Sequence, residues 1–105
     1  MEKPNLKFIN QLARGNENIK IELVSVIKLE FPKEKKNYDQ SLENKDYKRI
    51  EENVHKLKHK ISILGLERGY EIANEFEHSL RELDLSGKED FEKILTAISD
   101  YIETI

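Results

Sequence analysis

Between Tyr47 and Leu64, apolar residues return every three or four positions, at Tyr47, Ile50, Val54, Leu57, Ile61 and Leu64. Successive steps of about 100° per residue place such a set on one face of a helix, whereas a strand needs alternation of period two, which persists nowhere in the chain. The same spacing appears at Ile19, Leu23, Ile27 and Phe31, continuing to Tyr38 and Leu42. It appears again at Ala73, Phe76, Leu80 and Leu83, and finally at Phe91, Ile94 or Leu95, Ile98, Tyr101 or Ile102, and Ile105. Each stripe has one buried face and one charged face, so the segments must bury those faces against one another. Only four glycines and two prolines interrupt 105 residues rich in Leu, Ile, Glu and Lys, which favours helix almost throughout.

Local signals divide the helices. Gly15 is expected to close a first helix of about three turns in the left-handed conformation, with Asn16 capping the next. Asp46 is the expected N-cap of a helix reaching Leu64, Gly65 ends it, and Ser86 with Glu89 forms a capping box for the last helix. Pro32 makes residues 16–44 either one bent helix or two joined at Phe31-Pro32, the kink being the preferred reading. Segments 46–64 and 66–84 are each about 28 Å long and pair antiparallel across Gly65. The expected architecture is all-α, an up-and-down four-helix bundle with a short extra N-terminal helix, in one domain over residues 1–105. A monomer is expected, although Ile21, Val26 and Ile63, read as exposed apolar residues, leave a dimer open: they either pair two copies or merely decorate the surface.

Charge narrows the function. Eighteen basic against 21 acidic residues leave a net charge of −3, which supplies no general field for a nucleic-acid backbone. No cysteine is present, so disulfides, thiolate metal sites and a Cys nucleophile are excluded. The N-terminus lacks an apolar signal core and no run approaches the roughly 20 apolar residues that span a bilayer. A cytoplasmic protein without membrane contact is expected. The start at Met1, followed at once by helical pattern, is expected of a free-standing protein. With no Gly-rich phosphate loop, Ser-His-Asp order or paired carboxylates in a cleft, an enzyme with its own active site is not expected.

Histidine is the side chain that titrates near neutrality, and two of the three lie together in Val54-His55-Lys56-Leu57-Lys58-His59-Lys60. If Val54, Leu57 and Ile61 face the core, His55 lies just off the stripe, with Lys58 and His59 a turn along and Ser62 beyond. There one ring nitrogen is free to act as a nucleophile, and the Lys58 ammonium is within reach of a negative group attached to it. From Lys45 to Lys60 there are six basic and three acidic residues, so this helix is locally basic. A metal site of His55, His59 and Glu51 or Glu52 is the weaker reading. Glu51 and His59 are about 12 Å apart along the axis and lysines flank the histidines. His78, between Glu77 and Ser79, is read as a surface residue.

His55-Lys56-Leu57-Lys58, with Gly65 ten residues after the histidine and Leu66 following, resembles the phospho-acceptor helix of histidine-containing phosphotransfer (HPt) domains. The order of segments, ending in the hairpin at Gly65 and a partner helix through Glu75-Phe76-Glu77, extends the resemblance over most of the chain. The resemblance implies a phosphocarrier of two-component phosphorelays without catalysis of its own. His55 would take a phosphoryl group from the aspartyl phosphate of one receiver domain and pass it to another, and Lys58 would stabilise the phosphoryl charge. Partners would be response-regulator receivers or a hybrid sensor histidine kinase, the receiver supplying Mg²⁺ and this chain no cofactor. The face around Ser62, joined by Ile9 and Leu12 of the first helix, would take the docking partner, with Arg81 as a second positive group near the site. Family members commonly have glycine directly after the lysine, where this sequence has His59. On the helix His59 stands over His55, where it would obstruct docking, shield the phosphoramidate, accept a hydrogen bond or act as a second acceptor. An alternative of another class is a helical module that binds receivers without transfer.

Overall fold

A computed structural model describes residues 2–105; Met1, on which the expectation of a free-standing chain rests, lies outside them. Five helices follow one another: α1 (Lys7–Ala13), α2 (Glu17–Glu43), α3 (Tyr47–Ile63), α4 (Glu67–Arg81) and α5 (Lys88–Ile102). Helices α2 to α5 form an up-and-down bundle in which each packs on its sequence neighbours and α2 closes against α5, while α1 packs on α2. The fold is the expected four-helix bundle with an extra N-terminal helix. None of these helices is long and apolar enough to cross a membrane.

The caps decide the boundaries. Asn16 Oδ1 accepts the backbone N–H groups of Asn18 and Ile19, and Asp46 Oδ1 accepts that of Arg49, satisfying donors that the first helical turn leaves free. The first helix ends one residue earlier than expected: Arg14 is already left-handed, at φ 50°, and Gly15 follows at φ 80°. Pro32 does not divide α2, which is helical without a break from Glu17 to Glu43. Its ring is exposed, so the missing hydrogen bond to the Lys28 carbonyl falls on the solvent side.

The capping box at Ser86 does not form. Asp84 captures Ser86 instead, accepting its backbone N–H and its hydroxyl, and α5 starts at Lys88 behind Gly87 with no side-chain cap. Asp two residues before Ser makes its own turn, which outcompetes the box. Helix α4 stops at Arg81, and Leu83 turns left-handed (φ 59°) and is 66% exposed, not core. Ile19 is also outside the core, 41% exposed in the first turn of α2. Ile63, by contrast, packs half-buried against it.

The remaining stripes meet as one core. Ile27 and Phe31 of α2, Ile50, Val54, Leu57 and Ile61 of α3, Ala73, Phe76 and Leu80 of α4, and Phe91, Leu95 and Ile98 of α5 are all buried in it. At its centre Phe91 lies between Tyr38 and Phe76, with ring centroids 5.3 Å away on each side. The Tyr38 hydroxyl donates to Glu92 (3.0 Å), and burial first, then that carboxylate, pushes the phenol well above its ordinary range. Asn53 on α3 ties down α2 by donating to the Asn37 carbonyl (3.1 Å) and the Ser41 hydroxyl (3.2 Å).

The α3–α4 turn carries a close contact from the N-terminus. Gly65 is left-handed at φ 78°, Asn5 N–H donates to the Leu64 carbonyl, and a Cβ on Gly65 would lie 2.6 Å from the Asn5 amide atoms. Gly65→Ala is therefore expected to cost about 1–2 kcal/mol, combining backbone strain with displacement of Asn5. Urea denaturation should show a lower midpoint at unchanged slope; an unchanged midpoint would refute this account of the turn.

Candidate functional site

Three side chains of α3 and three of α4 interlock along the seam between the helices. On α3, Glu51, His55 and Lys58 follow at steps of four and three; on α4, Asn74, Glu77 and Arg81 follow at three and four, so each set forms one row. Glu77 is the centre. One carboxylate oxygen, Oε1, lies 2.9 Å from His55 Nδ1, and the other accepts a 2.8 Å hydrogen bond from Lys58 Nζ. Lys58 Nζ also donates to Asn74 Oδ1 (3.3 Å) and sits 5.4 Å from the centre of the Tyr70 ring. Arg81 Nε donates to Glu51 Oε2 (2.9 Å), and its Nη2 is 3.9 Å from Glu77 Oε1.

Burial separates the members of this network. The Glu77 and Lys58 side chains are 8% and 9% exposed, so their pairing is a buried ion pair, whereas the His55 side chain is 52% exposed. Burial alone would raise the Glu77 carboxyl. The hydrogen bonds and charges of Lys58 and His55 together outweigh it and hold the group below the usual glutamate range. An ionised carboxylate only accepts hydrogen bonds, so the ring nitrogen facing it must carry the proton. Nδ1–H of His55 then donates to Glu77, and in the neutral ring the free lone pair is on Nε2.

The family model that describes the Hpt domain matches residues 22–105 of this helical bundle. The chain belongs to the Hpt domain family. No curated protein and no solved structure matches it. Domains of this family carry phosphoryl groups on histidine in phosphorelays and interact with receiver domains or kinases.

Within this Hpt domain, the residues singled out by sequence fall in different places. Lys58 is buried and bonded to Glu77, not solvated. His59 is exposed, with its ring edge-to-face with that of His55 at 5.0 Å between centroids. Ser62 is exposed, and among the described residues its hydroxyl makes no hydrogen bond. Arg81 is brought to the site, its guanidinium held charged chiefly by the hydrogen bond to Glu51. Ile9 is fully buried in the core and offers nothing to a docking partner, while Phe8 and Leu12 on the other side of α1 are exposed. His78 is exposed with Nδ1 3.3 Å from Arg81 Nη1. Among the described residues no three His, Asp or Glu side chains converge on a metal position.

Glu77 and Asn74 are the site residues that sequence reading missed. The signal was present: Glu77 follows Phe76 between Ala73 and Leu80, inside the apolar stripe of α4, as Lys58 follows Leu57 inside that of α3. Opposite charges at matching places in two facing stripes mark a buried pair.

The lowered Glu77 carboxyl has a consequence in acid. A group depressed by folding contributes stability above its unfolded value, near 4.3 for glutamate, and that contribution is lost as pH falls through the folded value. The urea midpoint of the wild type should fall more steeply below about pH 4.3 than that of Glu77→Gln. Parallel curves for the two proteins would contradict the assignment.

Proposed function

We propose that this Hpt domain relays phosphoryl groups between receiver domains on His55 Nε2. The observation that carries the reading is the Glu77 carboxylate against Nδ1, which leaves the nucleophilic lone pair on the other nitrogen of a ring that is half in solvent.

Nε2 attacks the phosphorus of an aspartyl phosphate on a docked receiver. The N–P bond forms while the P–O bond to the aspartate breaks, and the carboxylate leaves with the bonding electrons. Nδ1 keeps its proton, so the product is a phosphorylated imidazolium whose positive charge lies against Glu77. The reverse displacement by the aspartate of a second receiver returns the ring to its neutral form. Transfer of this kind is served chiefly by positioning and electrostatics, with Mg²⁺ brought by the receiver. Lys58, through its bond to Glu77, keeps that carboxylate fixed and ionised while its own charge adds to the positive field beside the ring. Arg81, on the rim beside Glu77, adds a second positive group. Ser62 and the exposed side of α1 lie on the docking face. The setting proposed is a cytoplasmic monomer.

Incubation with phosphorylated receiver domains tests this. The expected result is an acid-labile, alkali-stable phosphate that mass spectrometry places on His55. Receivers that bind and leave no label on any residue would favour the second class of function, a helical module that docks receivers without transfer; His59 beside the acceptor is the observation on its side.

A further inference from the structure

A phosphoryl group on His55 would find most nearby cations already engaged. Lys58 is bonded to Glu77, Arg81 to Glu51, and Lys60 to Glu30 (2.9 Å) and Glu34 (3.3 Å) of α2. Lys56 makes no ion pair among the described residues and lines one recess with His55 and Glu77, but its long exposed stem holds the ammonium in no fixed place, unlike an imidazole set edge-to-face on the acceptor ring. His59 remains. It is exposed, lies one turn beyond the acceptor, and has its ring 5.0 Å from that of His55 with the planes at 90°.

We infer that His59 is the phosphoryl-recognition residue of this site, its imidazolium N–H bonding the phosphoryl oxygens on His55. The inference rests on His55 being the acceptor. Before transfer the group of His55, Glu77 and Lys58 is neutral as a whole. The phosphoryl brings close to two negative charges and the imidazolium returns one, so the group becomes negative by about one. A second imidazole beside it takes up a proton and restores neutrality, whereas an isolated excess charge would be left for solvent to screen. A histidine does this on demand, because its proton affinity lies near neutrality, and with the ring centroids 5.0 Å apart a group attached to the His55 ring lies close to that of His59.

Other charged groups surround His59 without replacing it. On its own helix Glu52, Lys56, Lys58 and Lys60 flank it. From α4 the network brings Glu77 and Arg81, with Tyr70 over Lys58, and from α2 Glu30 and Glu34 reach in through Lys60. By linkage, phosphorylation and proton uptake favour each other: lower pH holds the phosphoryl group on this domain and higher pH favours passing it on.

Imidazole ¹H–¹⁵N NMR across pH 5–9, before and after phosphorylation with phosphoramidate or a phosphorylated receiver, tests the inference. In the phosphorylated wild type the His59 ring should stay protonated to a pH about two units higher, the shift expected of unit charges some 5 Å apart near a protein surface. In His59→Gln, the yield of phosphohistidine relative to wild type should be several-fold lower at pH 6 and equal at pH 8.5. His59 is exposed, so the variant should keep the wild-type circular dichroism. A His59 titration unmoved by label on His55, a wild-type pH profile in His59→Gln, or label on His59 itself would overturn the inference while leaving His55 as acceptor untouched in the first two cases. Failure of every donor to label the wild type would instead bring down the acceptor reading, and this inference with it.

Discussion

His55→Gln is expected to take up no phosphoryl label from any receiver while still binding the receivers that phosphorylate the wild type. Glutamine is suited to this test because its amide N–H can reach toward Glu77 as Nδ1–H does, so the buried Glu77–Lys58 pair keeps its surroundings. Its nitrogen lone pair is delocalised into the carbonyl and cannot attack phosphorus. The His55 side chain is half-exposed, so stability should change by no more than about 1 kcal/mol. Calorimetric binding of a receiver and a denaturation curve, run beside the transfer assay, separate lost chemistry from lost fold. Label persisting on the variant would mean that another residue, His59 first, is the acceptor.

The fold was legible in the sequence wherever its cause is local. The stripes from Tyr47 to Ile61 and from Phe91 to Ile102 each lie within a single helix, and the caps at Asn16 and Asp46 depend on residues two or three positions away. Leu83 and Ser86 fit a rule of period or spacing but belong to backbone turns: Leu83 is left-handed just past the end of α4, where the Asp84 N–H donates to the Ser79 carbonyl, and the Asp84 side chain takes Ser86 into a turn of its own. Ile19 satisfies the period yet lies at the start of α2, where the stripe has no neighbour to bury it. The site was legible only in part for a different reason. His55 and Lys58 share one helix, so their spacing is written in sequence, but the contact that selects the tautomer crosses from α3 to α4, 22 residues on. Which α4 residue meets His55 depends on the register of the hairpin, and that is set by the three-residue turn at Gly65 and by core packing together.

Glu77→Ala should damage both stability and transfer, and the comparison with Glu77→Gln tells the two apart. Alanine leaves Lys58 buried with only Asn74 and the Tyr70 ring for company, and removing one partner of a buried pair costs about 3 kcal/mol, the low end of the usual range because the rim of this site reaches water. In response, Lys58 either shifts toward its neutral form or drags water into the seam. Glutamine keeps the volume and one oxygen. That oxygen can serve Lys58 or His55, but the two 2.8–2.9 Å contacts use both oxygens of the carboxylate, so one partner is released. The lysine, being buried, has the stronger claim, and His55 is the partner expected to lose its acceptor. Glu77→Gln should therefore recover most of the stability yet still transfer slowly, by a factor of about 10–100, because the ring is no longer held in the tautomer with Nε2 free and the imidazolium product has no facing carboxylate. Urea denaturation and single-turnover transfer at neutral pH measure the two effects. A Glu77→Gln protein that transfers at the wild-type rate would show that the carboxylate serves the bundle alone, and the reason for its place beside His55 would then be the buried lysine.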